Sequence, residues 1–539
     1  MRVKKQKLII FLVGMWATIN CYASLQQLID DGLLNELEES AAIAADATYN
    51  RLINQGCIDP IDDGGGECSG SSSLFTNVRE LVHTANEISG GGPTAYSLGA
   101  DIEGLGFALR WNTAEEYAAQ GDLSDGFADG QVSRLATRLI ALRLGATGFK
   151  VNGLASNRGE SYDPNAFDHQ EIDYFPPAPK PYKSRFLSGK LAVIHQSLLA
   201  ESELYLNDNN PGLDKKLSFS GDSENSGTFS ESYSRWGGFA NFDFGFGSRE
   251  DTVLEDAFDF ESAQITVGFD YRVNDQWVVG VVSGLSQQTV DFDSTKSIVE
   301  GEIEADGYSL MPFAMYQKGN WFFSSSFGVQ RMAFDSERAI RYPSFNLDTP
   351  SGDTLTVSST DADILSAFFE AGYTFQKRKW TIEPYLNLKY SDIRIDGFTE
   401  RDIKNEGFDL AVQGQDITSQ EVTLGAKLQY TFTPSFTAVL IPYYILEMVN
   451  QTDDTPRVIE AYYAQDATGD VAFKVPTESV DGDYSIHTLG VFSVIRGGRQ
   501  GKFGGPVGGE IQGFFNYRTF VGLEHFDIDL FSLGLRYTF

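Results

Sequence analysis

The chain has 539 residues, of which 75 are acidic and 41 are basic, so its formal net charge is -34 at pH 7. This length has room for two or more domains. Because so acidic a chain repels phosphate groups, the composition argues against nucleic-acid binding and against recruitment to acidic membrane surfaces.

The first 23 residues have the parts of a secretory signal peptide. Basic residues precede the apolar run 8–19, and the small residues Cys21 and Ala23 stand before Ser24. The apolar run is too short for a membrane anchor, so we predict export with cleavage after Ala23. Cys21 raises the alternative of a lipoprotein, but Asn20 before it fits that processing site poorly.

Two cysteines follow the signal peptide, Cys57 and Cys68, and they enclose an acidic, glycine-rich loop. In an exported protein a disulfide between them is the expected state, with two free thiols as the alternative. Carboxylates in the loop could bind calcium, but they lack EF-hand spacing, so we interpret the loop as solvated and predict no metal site. These carboxylates are Asp59, Asp62, Asp63 and Glu67.

Residues 24–157 are predicted to form a mainly helical region. Apolar residues recur at helical spacing, and glycines end the runs. Thr113 and Glu116 have capping-box spacing for a short helix, and Asp129 can cap another that Gly145 ends. We interpret the stripes as packing faces rather than cofactor contacts; they include Leu33, Leu37, Leu74, Val78, Leu81, Val132, Leu135, Leu139 and Leu142.

Residues 158–183 are rich in proline and predict an extended linker. Residues 184–206 have the pattern of a helix, about 33 Å long, that carries charges such as Lys190 and Glu201. Since this length matches a membrane thickness, we predict a helix in a water-filled lumen, with a surface helix as the alternative. Residues 207–232 are polar and glycine-containing, which predicts a loop.

Residues 233–539 change to a period of two, the repeat of strands with one apolar and one polar face. In one segment, apolar Trp321, Phe323 and Phe327 alternate with polar Ser324 and Ser326. Similar segments recur about twelve times in all. The last copy, 527–539, ends on an aromatic residue, Phe539.

Three further features favour a membrane barrel over a soluble sandwich. Mid-strand charges stand on one face only, as a hydrated lumen allows, and aromatic residues gather at strand ends as in interfacial girdles. Short turns also alternate with long polar connections, predicted at 291–304, 342–360, 400–416 and 452–481. The predicted fold class is therefore membrane all-β: an antiparallel outer-membrane β-barrel of about twelve strands with a lumen helix, preceded by a mainly helical N-terminal region. The mid-strand charges are Arg272, Glu370, Glu383, Lys389, Lys427 and Arg518.

Short segments of the barrel region resemble one known family. Trp236-Gly237 opens the first strand, the segment 268–271 reads Gly-Phe-Asp-Tyr, and the segment 533–539 reads Leu-Gly-Leu-Arg-Tyr-Thr-Phe. Their order resembles the translocator β-barrel of autotransporters, the type V secretion proteins. The segment 141–149 resembles a stretch ahead of the barrel in relatives with short, partly helical upstream regions.

The resemblance implies a helix in the pore and an assembly signal at the carboxyl terminus. Phe539, with Tyr537 and Leu535 on the same face, would be read by the outer-membrane β-barrel assembly machinery, after escort by periplasmic chaperones. Some relatives cleave themselves at an asparagine pair inside the pore helix. Here Asn209-Asn210 lies beyond that predicted helix, so we expect no self-cleavage.

These patterns leave three hypotheses for function. The first is a monomeric outer-membrane autotransporter, surrounded by lipid, that exports or displays its short N-terminal region for adhesion or another surface contact. The second is a channel with a periplasmic N-terminal domain, and the third is a surface hydrolase. The third is weakest, because the sequence has no Gly-x-Ser-x-Gly elbow and no His-Glu-x-x-His pair. We predict no catalytic residue and no cofactor.

Overall fold

A computed structural model describes most of the N-terminal region and of the barrel. The predicted signal peptide 1–23, linker 158–183, helix 184–206 and loop 207–232 lie outside the described residues. The described ranges are 25–57, 72–143, 149–157, 236–292, 299–432, 439–452, 457–466, 473–478, 482–496, 499–500, 506–507, 510–523 and 529–538.

The N-terminal region is helical, as predicted. Helix α2 begins with a capping box, in which the Asn35 side chain accepts from the Glu38 N–H at 2.9 Å and the Glu38 carboxylate accepts from the Asn35 N–H at 2.9 Å. Among the described helices, none combines the length and the hydropathy needed to span a membrane. The helices are α1 Leu25–Asp30, α2 Glu36–Asn54, α3 Ser72–Asn86, α4 Ile102–Arg110 and α5 Ala118–Arg143, with a π-turn at Glu87–Gly91 and a 3-10 turn at Glu115–Tyr117.

Three details of the helical prediction are wrong. Thr113 does not cap a helix, because its Oγ1 donates to the Arg110 carbonyl at 2.8 Å and the turn Glu115–Tyr117 has no side-chain cap. The other two details concern places where the chain contacts the barrel. Helix α5 is continuous through Asp129, whose carboxylate lies 3.3 Å from Lys389 Nζ on the barrel wall and does not cap a helix start. Residues 149–157, which we assigned to the helical region, form a strand that pairs with two barrel strands. In both places contacts with the barrel replace the local preference.

The remainder of the described chain is almost entirely β-structure. The strands are β1 Phe149–Asn157, β2 Trp236–Arg249, β3 Phe258–Arg272, β4 Trp277–Phe292, β5 Glu300–Lys318, β6 Trp321–Tyr342, β7 Gly352–Tyr373, β8 Phe375–Lys377, β9 Trp380–Ile395, β10 Phe398–Thr399, β11 Arg401–Asp402, β12 Leu410–Val412, β13 Gln415–Tyr430, β14 Val439–Gln451, β15 Val458–Tyr463, β16 Phe473–Pro476, β17 Asp483–Arg496, β18 Arg499–Gln500, β19 Pro506–Val507, β20 Glu510–Val521 and β21 Asp529–Thr538.

The long strands form one curled sheet that closes on itself. Its order is β11-β7-β6-β5-β4-β3-β2-β1-β21-β20-β17-β14-β13-β9-β8, and an additional pairing of β7 with β9 completes the ring. Strand β1 lies between β2 and β21, parallel to β2 and antiparallel to β21. The other barrel pairings are antiparallel, which confirms the predicted fold class.

Several strands are much longer than a membrane crossing requires. Strands β6 and β7 have 22 residues each, whereas a tilted membrane strand needs about 9–11. About half of the connection predicted at 342–360 is strand, because β7 already begins at Gly352. The connections predicted at 400–416 and 452–481 contain strands that join in a separate four-stranded sheet, β10-β12-β15-β16.

The outward side of these long strands changes from apolar to polar residues at one level along the strands. On β6 the outward side is apolar from Trp321 to Val329 except for Ser325, and then carries Arg331, Asp335 and Glu337. The register places Arg331 beside Asp363 of β7. We call the part with the apolar outward side the membrane zone, residues 277–285, 308–318, 321–329, 365–373 and 380–390. We call the part beyond it the collar, residues 286–292, 300–307, 330–342, 352–364 and 391–395.

On β6 the inward side also changes at this level. Within the membrane zone, β6 turns Ser324 and Ser326 inward, and in the collar it turns Met332 and Phe334 inward. In the membrane zone the apolar residues of β6 thus face outward, toward lipid. In the collar its polar residues face outward and its apolar residues face inward, as in a water-soluble sheet. The inward apolar side chains of the collar, all buried, include Val290, Phe292, Ile303, Ala305, Ile340, Tyr342, Ala362, Ile364, Ile393 and Ile395.

These collar side chains share one hydrophobic core with the helical region. We call residues 25–117 the cap. Leu37, Leu74, Leu105 and Leu109 of the cap belong to the same buried cluster as the collar residues. The collar therefore encloses a hydrophobic interior that the cap fills, as in a soluble domain.

Candidate functional site: the filled lumen and the cap

Helix α5 runs down the lumen from the cap to the opposite end of the barrel. It has 26 residues, which corresponds to about 39 Å. Near its start, Gln120 Nε2 lies 3.4 Å from Ser336 Oγ in the collar. At its end, Arg143 Nη1 lies 2.5 Å from Glu370 Oε1, close to the short turn after β7. The helix thus spans the membrane zone from one end to the other.

One side of α5 packs against apolar side chains of the wall. Leu135 and Leu139, predicted as a packing stripe, are fully buried there. This cluster is separate from the one that joins the cap and the collar, and it includes Val132, Leu142, Val278, Val282, Met311, Phe313, Met315 and Phe368.

Two glycines of the wall make room for side chains of α5. A Cβ at Gly284 would lie 2.4 Å from Gln131 Oε1, and a Cβ at Gly307 would lie 3.1 Å from the Phe127 ring. A larger residue at either position would displace the helix side chain. The absence of a side chain therefore allows the close approach.

Ion pairs connect α5 to the wall on its polar side. Arg138 Nε donates to Asp270 Oδ2 at 3.0 Å, and both side chains are buried. Lys389 Nζ lies 3.3 Å from Asp129 on the helix and 3.0 Å from Glu421 on the neighbouring strand. Removing one member of the buried Arg138–Asp270 pair leaves a charge without compensation, so this pair fixes the position of the helix, whereas Lys389 and Asp129 are partly exposed.

Within the wall itself, Lys427 Nζ of β13 lies 2.5 Å from Glu383 Oε2 of β9. Both residues were predicted to line a hydrated lumen, as were Glu370 and Lys389. The structure places these four side chains inward, but against protein partners rather than along an open pore.

A buried arginine joins the cap to the collar. Arg338 of β6 forms a bidentate pair with Glu400, with Nε–Oε1 at 2.8 Å and Nη2–Oε2 at 2.7 Å. Its Nη1 donates to the Trp111 carbonyl at 2.9 Å, and Tyr117 Oη donates to Glu400 at 2.5 Å. Because Arg338 is only 1 % exposed, these bonds form away from water.

The long connections hold the cap through its backbone as well. The Phe345 N–H donates to the Leu98 carbonyl at 2.7 Å, and Asn346 Nδ2 donates to the Ser97 carbonyl at 2.8 Å. On the other side, the Lys474 N–H of β16 donates to Ser40 Oγ of α2 at 2.9 Å. Contacts from separate connections therefore surround the cap.

Several carboxyls of the cap are buried, among them Glu80, Glu115 and Glu116. Burial raises the pKa of Glu80 to about 8. The positive charge of Arg79 lowers this pKa, and the negative charge of Glu406 raises it further. Burial likewise raises the pKa of Glu116 to about 8, partly offset by Arg338. Both groups favour their neutral form in the folded cap, which makes the cap interface sensitive to pH.

The remaining predicted site residues are placed only in part. Leu535 and Tyr537 belong to the last strand, β21, whereas Phe539 lies outside the described residues. Cys57 is buried, and Cys68 lies outside the described residues, so the disulfide stays a prediction. Among the described residues, no group of three or more His, Cys, Asp or Glu is arranged to hold a metal ion.

The structure describes α5 in the lumen, whereas the lumen helix predicted from sequence, residues 184–206, lies outside the described residues and stays a prediction. From the sequence alone, we interpret the stripe of α5 as ordinary packing. The sequence does contain a signal that α5 lies in the lumen. Arg138 and Arg143 are spaced along a helix of membrane length, and the wall strands supply inward Asp270 and Glu370 of opposite sign.

A comparison with protein families matches the barrel. The family model described as Autotransporter beta-domain matches residues 238–493, which span β2 to most of β17. The alternation of outward and inward residues in the membrane zone fits this family's placement in lipid.

Comparisons with individual proteins give distant similarities. An uncharacterized protein in the trpE-trpG intergenic region of Pseudomonas putida is 23% identical over 173 residues, 32% of this chain and 27% of that protein. Esterase EstA of Pseudomonas aeruginosa is 21% identical over 204 residues, 37% of this chain and 29% of that protein. The chain therefore spans less than a third of the length of these relatives.

A solved structure, the translocator domain of autotransporter NalP from Neisseria meningitidis, is 12% identical, with a TM-score of 0.39. The match covers 65% of this chain and 96% of that domain. The family match shows that residues 238–493 form an autotransporter beta-domain, which places the chain in the outer membrane of a Gram-negative bacterium.

Proposed function

We propose that this barrel carries its own cap, residues 25–117, to the cell surface and holds it there in folded form. The core shared by the cap and the collar is the observation that carries this proposal. In outer-membrane barrels short turns face the periplasm and long connections face outward. The cap contacts the long-connection end, as the bond between Phe345 and Leu98 illustrates.

The cap would remain attached rather than be released. The Arg338–Glu400 pair and the backbone bonds from the long connections hold it, and we expect no self-cleavage at Asn209-Asn210. A retained cap is available for adhesion or another surface contact. Export needs no cofactor on this account, because burial of the cap core outside the membrane favours the final state.

The alternative of a channel is disfavoured by the filled lumen. Helix α5 occupies the barrel from Gln120 to Arg143, and buried ion pairs hold it in place. Planar-bilayer recordings of the intact protein should therefore show conductance well below that of a variant whose Arg138 and Arg143 are replaced by Ala. Equal, high conductance from both would favour a channel.

A surface hydrolase remains the other alternative, and one relative is named an esterase. The beta-domain is not the catalytic part of an autotransporter, so an activity would have to reside in other parts of the chain. We propose that the chain is not an enzyme, because its sequence lacks a Gly-x-Ser-x-Gly elbow. Hydrolysis of short-chain esters by the purified protein, above the rate of a heat-denatured control, would overturn this.

Two further roles are proposed from the sequence. We propose that Cys57 and Cys68 form a disulfide between α2 and α3, which a mass shift after reduction and thiol alkylation would show. We also propose that Phe539, Tyr537 and Leu535 direct assembly. Deleting Phe539 should lower the amount of heat-modifiable barrel in the membrane, while normal amounts would refute that role.

Labelling of single cysteines on intact cells tests surface display. In a background without Cys57 and Cys68, Asp31→Cys reports on the cap and Leu347→Cys on a long connection, where Leu347 is 104% exposed. Asp275→Cys reports on a short turn. A membrane-impermeant maleimide should label the first two on intact cells and the third only after lysis. Labelling of Leu347→Cys but not of Asp31→Cys would place the cap elsewhere.

A further inference from the structure

The turn between β8 and β9 is basic, in contrast to the acidic chain. Residues 377–379 read Lys-Arg-Lys, while the whole chain has a net charge of -34. All three are exposed, and Arg378 adopts a left-handed backbone with φ of 58° that closes the tight turn. Lys318 lies at the neighbouring short turn, and the segments 317–323 and 374–382 contain no acidic residue.

These bases differ from exposed bases of the collar and its connections in having no carboxylate partner. Arg331 lies 2.9 Å from Asp361, Arg394 lies 3.0 Å from Asp416, and Lys404 lies 2.8 Å from Asp353. Within the described chain, Lys318 and the bases at 377–379 make no ion pair. Their positive charge is therefore not neutralised by the protein.

An aromatic cleft lies directly beside the basic turn. The cleft has a volume of about 490 Å³ and is lined by Asn320, Phe375, Gln376, Lys377, Trp380 and Ile382. Phe375 is 55% exposed and Trp380 is 49% exposed. The cleft thus combines apolar side chains on the outward face with a base at its edge.

This position fits the headgroup region of one membrane leaflet. Trp380 and Ile382 belong to the apolar outward side of the membrane zone, and the short turns of such barrels face the periplasm. Aromatic residues favour the membrane interface, and clustered bases attract anionic headgroups there. The phosphate of a lipid can meet the bases while its acyl chains lie along the apolar wall.

We propose that the turn at 377–379 and the cleft beside it form a binding site for an anionic phospholipid of the periplasmic leaflet. The expectation from net charge, that the chain avoids acidic membrane surfaces, then holds for the molecule on average but not at this turn. The proposal rests on the placement of the barrel in the outer membrane and is independent of display of the cap.

The expected selectivity follows from the number of unpaired bases. Each Lys or Arg near an anionic surface contributes about a fivefold gain in association. Replacing residues 377–379 by Gln should therefore reduce the preference for an anionic lipid at least tenfold, since the aromatic cleft would then bind charged and zwitterionic lipids alike.

The test uses the full-length protein in phosphatidylcholine bilayers. Electron paramagnetic resonance of spin-labelled phosphatidylglycerol and spin-labelled phosphatidylcholine gives their relative association constants with the protein. The wild type should prefer phosphatidylglycerol, and the preference should weaken with added salt. The variant K377Q/R378Q/K379Q should lose it. Equal association of both lipids with the wild type, or a full preference in the variant, would overturn the proposal.

A matched control removes the same charge from paired bases. The variant R331Q/R341Q/R394Q also loses three positive charges, but those bases lie beside carboxylates. Its lipid preference should equal that of the wild type, and an equal loss would mean that only net charge matters. If the triple variant at 377–379 does not fold, K377Q, R378Q and K379Q are tested singly, each with about a fivefold loss expected.

A soluble acidic partner in the periplasm is the competing occupant. Polyglutamate added to the bilayers separates the two. If it displaces spin-labelled phosphatidylglycerol from the wild type at concentrations near that of the protein, the bases serve a soluble partner and the lipid assignment is wrong. Displacement only at the ionic strength at which salt has the same effect supports the lipid site.

Discussion

The membrane zone and the collar are built from the same strands but have opposite polarity. On β6, Phe327 and Val329 face outward as apolar residues, while Arg331 and Glu337 face outward further along. No register shift separates them, because β6 pairs with β7 without interruption from Trp321 to Tyr342. The difference therefore comes from the surroundings: lipid outside and helix α5 inside, followed by water outside and the cap inside.

This comparison explains why the same kind of substitution should have different effects in the two parts. The inward side of the collar is a closed core, where burial and unpaired charge dominate stability. The outward side of the collar meets water, where ion pairs contribute little. The predictions below use this difference, from the largest expected effect to the smallest.

Arg338 should be the most sensitive position. Arg338→Met leaves Glu400 buried without its partner, and we expect the cap to lose about 3–5 kcal/mol of stability. Arg331→Met, on the outward side of the same strand, should cost about 0–1 kcal/mol. Hydrogen exchange of the α4 amides measures cap opening in both variants. Equal effects would show that Arg338 does not join the cap to the collar.

Gly407 should be the second most sensitive position. It has a φ of 85°, and a Cβ there would lie 2.5 Å from the Leu74 backbone nitrogen, which cannot move away as a side chain can. Gly407→Ala should destabilise the cap by about 1–3 kcal/mol. Gly284→Ala in the membrane zone meets only the flexible end of Gln131. That control should change the urea midpoint of cap unfolding little, and the reverse order would contradict the packing described here.

The smallest predicted effect is the dependence of cap stability on pH. Since the pKa of Glu80 and of Glu116 is raised to about 8 in the folded cap, their contribution to stability is full below about pH 4.5 and is lost as the pH rises through 8. Lowering the pH from 8 to 7 should stabilise the cap by about 1 kcal/mol for each group. The variants E80Q and E116Q should each flatten the pH profile of the urea midpoint. A cap that weakens on this acidification would refute the burial argument.

The barrel could be predicted from sequence because the membrane zone has a simple alternation. Trp321, Phe323 and Phe327 against Ser324 and Ser326 predict a lipid-facing strand directly. The collar is not predicted from sequence, because polar Arg331 and Glu337 continue the outward side and the apolar alternation ends near residue 330. Only the three-dimensional neighbours show that Met332 and Phe334 face an apolar interior.

The lumen helix α5 is harder to predict from sequence for a related reason. Leu135 and Leu139 form a stripe that any buried helix would have, and the sequence does not state what the stripe packs against. The identity of the partner depends on contacts such as Arg138 with Asp270, which lie far apart in the chain. Long-range pairs of this kind cannot be read from local periodicity.

An accessibility scan of β6 tests the central claim most directly. Spin labels at the outward positions 327 and 329 should be accessible to oxygen. Labels at the outward positions 333 and 335 should instead be accessible to a water-soluble nickel reagent. Labels at inward positions 334 and 340 should be inaccessible to both reagents, because the cap covers them. Access of the nickel reagent to 334 and 340 at the level seen for 333 and 335 would contradict the account.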